Sequence, residues 1–325
     1  MFTLIDVLSQ LPKNEGVRAM AIRKTLETSP MMSFMQFVER PNLTSTFFIE
    51  GDLTDVDYRA YNDSAPLSAP ISTEEVKTEL FPLADRMEID PLLADVRTRE
   101  NPSYIAEQIK RRFTAFGLNF KRAIVGKNFD PLRPKGLYGW INYYNSATNQ
   151  TVIDVAGAAT SILTLGATAF IQKMGELTDA TLGLPFMYLT NRNIIRQIDA
   201  LTIASPNNTA LAMKFAWKTY QVLPGIEMRY ATWEDRPLVP VDQDALRAEI
   251  MPFDETFGAS NLTSSILAVR IGEEDCIGLQ RDMSGPIIRD YLAANTKRVV
   301  EIDWPNGMEV RNYKSAARLR GILAG

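Results

Sequence analysis

The sequence predicts an α+β fold in which one long amphipathic helix sits between two groups of short strands. Three observations carry that expectation. Ile105, Ile109, Phe113, Phe116, Phe120 and Ile124 recur every three or four residues, a helical period sustained along the stretch. Short apolar runs at 34–38, 46–49, 226–230 and 265–271 are set among Pro, Asn, Asp and Gly, the residues that punctuate strands. From residue 151 onward helical and strand patterns interleave, so a second compositional domain mixes both. A chain of 325 residues, 46% of them apolar, can bury about three quarters of its extended surface and suits about two domains.

The chain has no histidine and one cysteine. Without imidazole there is no Ser-His-Asp triad, no Cys-His pair, no HExxH zinc helix and no Cys2His2 finger. Cys276 can form no internal disulfide, and within the run 268–277 it reads as a small buried strand residue rather than a nucleophile. No GxGxxG, GxxxxGK(S/T) or EF-hand spacing occurs, so no nucleotide or calcium cofactor is expected. Asp282-Met283-Ser284-Gly285 faintly resembles an aspartic protease element, yet it lacks the second carboxylate copy that shares the proton. No catalytic, cofactor-binding or metal residue is therefore assigned. The formal charge, 35 basic against 39 acidic residues, is too balanced for a protein whose main work is gripping phosphates. The stretch 152–171 carries Asp154 and many small polar residues and reads as a buried helix rather than a membrane span, and residues 1–6 lack the regions of a signal peptide.

Residues 1–30 read as an arm, with a first apolar cluster around Leu4, Ile5, Val7, Leu8 and Leu11 too short to stand alone, then a short helix at 17–26. Strands are expected at 34–38 and 46–49, a turn at 64–70, and a return leg at 73–87 with Val76, Thr78 and Leu80 on one side. Pro102 starts the long helix and Gly126 stops it, a span of roughly 35 Å. Residues 130–141 form a Pro- and Gly-rich link; its neighbours Tyr138, Trp140, Tyr143 and Tyr144 are expected in packing rather than in base stacking. A helix at 158–176 follows, in which Gly157 and Gly166 suggest close packing, then a strand at 186–189 and a helix with Ile194, Ile195, Ile198 and Leu201. Asn191, Arg192 and Asn193 could hold an anion at that junction, although capping by Asn191 or Thr190 is the simpler reading. Further strands are expected at 226–230, 238–241, 265–271 and 276–279. Trp304-Pro305-Asn306-Gly307 between 298–302 and 308–311 predicts a hairpin, and 315–323 is apolar enough to be docked.

Charge is distributed unevenly. Between residues 50 and 90 eleven carboxylates, among them Asp52, Asp55, Asp57, Glu74, Glu75 and Glu79, stand against Arg59, Lys77 and Arg86. The helix that follows carries Lys110, Arg111, Arg112, Lys121, Arg122 and Lys127 against Glu107. The bland reading is a solvated basic face. The sharper one is that the acidic excursion of one subunit lies over the basic helix of another, a contact that sets register and encounter rate more than affinity.

Several stretches taken in order resemble the major capsid proteins of tailed bacteriophages with the HK97-type fold. They are Thr28-Ser29-Pro30 leading to Phe34 and Phe37-Val38, then Leu189-Thr190-Asn191-Arg192, then Tyr230 through Asp235-Arg236-Pro237-Leu238. Residues 265–272 with Gly278-Leu279-Gln280, and Ala316-Ala317-Arg318-Leu319-Arg320-Gly321-Ile322, complete the set. The resemblance implies an N-terminal arm and entry strand at 1–40 and an extended two-stranded E-loop at 41–90. It further implies a peripheral domain with a long spine helix at 91–150, an axial domain at 151–295, and C-terminal strands at 296–325 returning to the peripheral domain.

What the resemblance implies for function is a structural part of a virion, made late and assembled in the host bacterial cytoplasm. The subunit would form hexamers and pentamers of an icosahedral head around double-stranded DNA, touching that DNA without sequence specificity. Implied partners are a separate scaffolding protein, since the body begins within 30 residues, a portal at one vertex and, in some members, decoration proteins; no membrane and no cofactor are implied. Some members carry a Lys-Asn isopeptide crosslink, but neither Lys77 nor any Asn here can be matched to that pair. The alternatives are an encapsulin-type nanocompartment shell storing a cargo enzyme and, more remotely, a histidine-free carboxylate hydrolase.

Overall fold

The computed structural model describes residues 22–23, 26, 31–50, 73–90, 104–127, 130–146, 149–183, 185–205, 207–223, 226–241, 243–282, 285–292 and 297–325. The chain begins with α1 (Met31–Phe34), β1 (Phe37–Glu39), β2 (Thr44–Glu50), β3 (Thr73–Glu79) and β4 (Phe81–Ile89). The long helix α2 (Tyr104–Val125) and the aromatic helix α3 (Leu137–Tyr144) follow. Next come β5 (Val152–Asp154), α4 (Ile162–Leu165), α5 (Ala167–Asp179), β6 (Met187–Thr190), α6 (Arg192–Ala204) and α7 (Thr209–Lys214). The rest is strand: β7 (Phe215–Leu223), β8 (Ile226–Trp233), β9 (Arg236–Pro240), β10 (Glu255–Phe257), β11 (Ser260–Val269), β12 (Cys276–Gln280), β13 (Ile287–Leu292), β14 (Arg298–Val310) and β15 (Ala316–Leu323).

Three sheets organise these strands. The eight-stranded sheet runs β5-β15-β11-β6-β9-β8-β7, with β10 added beside β11. A five-stranded sheet is centred on β14, which pairs with β4, β12 and β13, while β1 lies parallel to β12. The third sheet is the β2–β3 pair. Period-2 alternation lets the middle of the large sheet serve two cores at once. Leu267 and Val269 of β11 face the cluster shared with α2, α3 and the five-stranded sheet, whereas Ile266 and Ala268 face the cluster under α5 and α6.

The spacing expected of the long helix is realised. Ile109, Phe113, Phe116, Phe120 and Ile124 are buried along one face of α2, and Phe120 and Phe116 stack on Trp304 of β14 with ring centroids 4.6 and 6.1 Å apart. Gly126 ends the helix at φ +58°, and a Cβ on Gly136 would lie 2.4 Å from the Gly126 Cα. Two glycines thus let the end of α2 and the start of α3 touch.

Several expectations need correction. No hairpin forms at 304–307; β14 is one continuous strand. Pro305 sits opposite Pro82 in register with β4, so two residues that lack an N–H face each other, and Trp304 is held in the core by aromatic neighbours. Tertiary packing overrides the local turn chemistry. The helix expected at 158–176 is two helices broken at Gly166, whose φ is +83°; neither Gly157 nor Gly166 has any atom within 4 Å of its ideal Cβ, so neither marks a close contact. The strand expected at 34–38 begins only at Phe37, because Met31–Phe34 coils to bury Met31 and Met32. The link at 130–141 ends in α3.

The return leg is divided at Leu80, whose N–H donates to the Leu43 carbonyl and whose side chain packs with Ile277 and Leu279. Strand β3 stays with β2, while β4 crosses to β14. After residue 295 the strands separate: β14 belongs to the five-stranded sheet, and β15 enters the eight-stranded sheet between β5 and β11. Strands β12 and β13, placed by sequence with the second domain, lie in the five-stranded sheet. Of the expected arm, residues 1–21 lie outside the described residues, as does the turn at 64–70, while Ile22 and Leu26 are buried in the core.

Candidate assembly surface

The basic helix and the acidic strands are both largely on the subunit surface, but they are not equally available. On α2, Lys110 and Arg111 are exposed. Arg112 is not available in the same way: its Nη1 donates to both oxygens of Asp85 on β4, each at 2.7 Å. Arg122 donates to Asp244 at 3.0 Å, and that carboxylate is buried and also accepts the backbone N–H groups of Leu246 and Ala248. Lys121 is only 5% exposed. Lys127 donates to the Pro252 carbonyl at 3.0 Å and pairs with Asp254, so the six cations that sequence placed in one class split into two solvent-facing residues and four built into the subunit.

The acidic side divides as well. Glu74, Glu75 and Glu79 are exposed on β3; Asp52, Asp55 and Asp57 lie outside the described residues. Glu74 accepts from the Tyr143 hydroxyl at 2.6 Å, an arrangement that raises the phenol's pKa above its ordinary value chiefly through this hydrogen bond. Glu75 faces Lys77 at 3.9 Å. The base of the β2–β3 pair is also held by burial: Phe47 packs on Trp140 of α3 with centroids 5.8 Å apart, and Lys135 lies 4.1 and 3.8 Å from the Trp140 and Tyr143 ring centroids. Desolvation there pushes the Lys135 ammonium below its usual range. At the described base of the excursion the apolar partners come from α3.

A buried polar network that sequence reading missed ties α3 to the large sheet. Glu255 accepts from Tyr138 at 2.7 Å, from Ser265 at 2.5 Å and from Arg318 at 2.5 Å, while Arg318 Nε donates to Ser265 at 2.9 Å. Burial, then the Glu255 charge, drives the Tyr138 hydroxyl well above the normal phenol range, so it stays a donor. No local pattern links residues 138, 255, 265 and 318, which is why spacing could not reveal them. Replacing Arg318 by Met should cost about 3 kcal/mol in urea unfolding of the unassembled chain, since Glu255 would lose its hydrogen-bonded cation and keep only Lys127, 3.8 Å away; a loss below about 1 kcal/mol would show that the network does not depend on that charge.

At the strand–helix junction the Asn191 side chain accepts from the Asn193 N–H and donates to Glu249 and the Met251 carbonyl. It is a cap rather than an anion site. Cys276 is buried, and burial raises its thiol pKa strongly. Among the described residues no group of three or more Asp, Glu or Cys side chains could hold a metal, and no helix is long and apolar enough to cross a membrane.

With this geometry in place, similarity to solved structures is informative. The chain matches the holo-SrpI encapsulin complex from Synechococcus elongatus PCC 7942 at 14% identity and TM-score 0.58, over 90% of this chain and 87% of that one. It matches the capsid of a native GTA particle at 13% identity and TM-score 0.58, over 91% of each chain. Its fold resembles that of the HK97-type shell proteins. A structure of Mycobacterium phage Bobi agrees with this HK97-type fold at 10% identity and TM-score 0.55, again over 91% of each chain. No protein-family model and no curated sequence matches the chain.

Proposed function

We propose that this chain is a shell-forming protein, and specifically the major capsid protein of a tailed bacteriophage, tiling as hexamers and pentamers around double-stranded DNA. The observation that supports the reading is the likeness to the HK97-type fold, which extends over 90% and 91% of the chain against an encapsulin and a GTA capsid. A closed shell requires many identical, modest contacts, and multivalency makes weak ones sufficient. Lys110 and Arg111 on α2, facing the acidic residues of the 41–90 excursion on another copy, are the contact we assign to that role. A separate scaffolding protein, a portal at one vertex, decoration proteins and non-specific DNA contact complete the proposed setting, within a virion built in the bacterial cytoplasm.

The encapsulin similarity favours a second reading, a nanocompartment shell around a cargo enzyme. Negative-stain microscopy of the chain expressed alone and with a scaffolding partner tests the shared part: closed particles are expected, and a monomer at every concentration would overturn it. Particle contents separate the two readings, with nuclease-protected DNA expected for a capsid and a single co-purifying protein for a nanocompartment.

A further inference from the structure

Where the return leg divides, three side chains on three strands are buried without a polar partner. Ser45 of β2, Thr78 of β3 and Glu309 of β14 are 3%, 6% and 0% exposed. The two hydroxyl oxygens and Glu309 Oε1 have no hydrogen-bond partner among the described residues. The other Glu309 oxygen is engaged twice, accepting from Arg311 Nε at 3.1 Å and from Nη2 at 3.0 Å. A buried oxygen with neither donor nor acceptor opposes folding, so such atoms usually recruit water.

Two registers bring the three together. Ser45 lies directly opposite Thr78 in the β2–β3 pair, which sets their Cβ atoms about 5 Å apart on the face that also carries the buried Phe47. Strand β4 runs antiparallel to β14 with Phe81 against Asn306. Continued by one residue, that register sets Leu80 beside Gly307. The contact is present: a Cβ on Gly307 would lie 3.2 Å from Leu80 Cδ2 and 3.1 Å from the Glu79 carbonyl oxygen. Two residues further the same register sets Thr78 against Glu309, whose side chain leaves β14 on the face to which a Gly307 side chain would point. Leu80 closes one end of the seam by packing on Ile277 and Leu279, the cross-strand neighbours of Glu309 and Gly307.

The donor and acceptor inventory decides what fits there. Each hydroxyl can give one hydrogen and also accept, whereas the Glu309 oxygen only accepts. A water donating to Glu309 Oε1 and to one hydroxyl, and accepting from the other, completes all three and makes the three bonds usual for a buried water. A metal ion suits the seam less well, because Arg311 already balances the Glu309 charge and calcium takes about six to eight oxygens.

We propose that one internal water is bound between β3 and β14, held by Ser45, Thr78 and Glu309, and that it fastens the two-stranded projection to the five-stranded sheet. The site belongs to the single subunit and is independent of what the subunit builds.

Magnetic relaxation dispersion of the water signal counts long-lived internal waters in the unassembled full-length chain. Ser45→Ala with Thr78→Val removes both hydroxyls and should lower that count by one. Thr78→Ser keeps the hydroxyl and should leave the count unchanged. A high-resolution crystal structure of the unaltered chain should show one density peak about 2.6–3.2 Å from all three oxygens. An unchanged count in the double variant, the same loss in Thr78→Ser, or direct hydrogen bonds among the three side chains in place of the peak would overturn the proposal. So would a peak ringed by oxygens at the metal distance of about 2.0–2.6 Å. The crystal structure needs no variant to fold, so it decides the proposal even where the double variant is too unstable to measure.

Discussion

Replacing Trp304 by alanine is expected to remove about 3–5 kcal/mol of subunit stability, the largest loss of any single substitution considered. Trp304 is 1% exposed and sits where four elements meet. Its ring stacks on Phe120 and Phe116 of α2 and tilts against Phe37 of β1, and its indole N–H donates to the buried Gln280 of β12 at 3.1 Å. Truncation would open a cavity between helix and sheet and leave the Gln280 side-chain oxygen without its donor, adding about 1–3 kcal/mol if no water enters. Trp304→Phe keeps the stacking and should recover roughly half of the loss. Urea unfolding of the unassembled chain measures both. A cost below about 1 kcal/mol for the alanine variant would mean that α2 is fastened to the five-stranded sheet elsewhere.

The other large effect concerns assembly rather than folding. Lys110→Glu together with Arg111→Glu should prevent particles from forming while far-ultraviolet circular dichroism and the subunit's Tm stay unchanged, because both side chains are exposed. Reversal of Arg112 is a different experiment. Its guanidinium grips Asp85 within the same chain, so Arg112→Glu would set two carboxylates against each other at a fixed strand–helix contact and lower the subunit's own stability. Separating the pair from the third residue keeps the assembly measurement clean. Normal particles from the double variant at both low and high salt would exclude α2 as an acceptor for the acidic excursion.

The long helix was legible because five buried apolar residues at helical spacing leave little choice of structure, and four strands of the large sheet, β6, β8, β9 and β11, were legible as apolar runs between breakers, whereas the residues of β5, β7, β10 and β15 did not announce a strand. Position 304–307 was not. Pro-Asn-Gly signals a turn locally, but the same residues extend when a second proline-bearing strand, β4, arrives opposite them, and nothing near residue 305 announces residue 82. Charge tallies suffered in the same way. Counting placed Asp85 with the excursion and Arg112 with the helix as though each awaited another copy, whereas β4 lies close enough to α2 to join them within one chain.

The anchoring of the β2–β3 pair on α3 changes where disorder is lost. Fixing a residue's backbone removes about 1–2 kcal/mol of conformational freedom, and seven residues in each of these strands are already fixed by pairing with each other, while Phe47–Trp140 and Tyr143–Glu74 set the direction in which they leave the body. That loss is incurred when the subunit folds, once per chain and in isolation. If a second copy binds these strands as proposed, the paired residues add no further ordering cost to that contact.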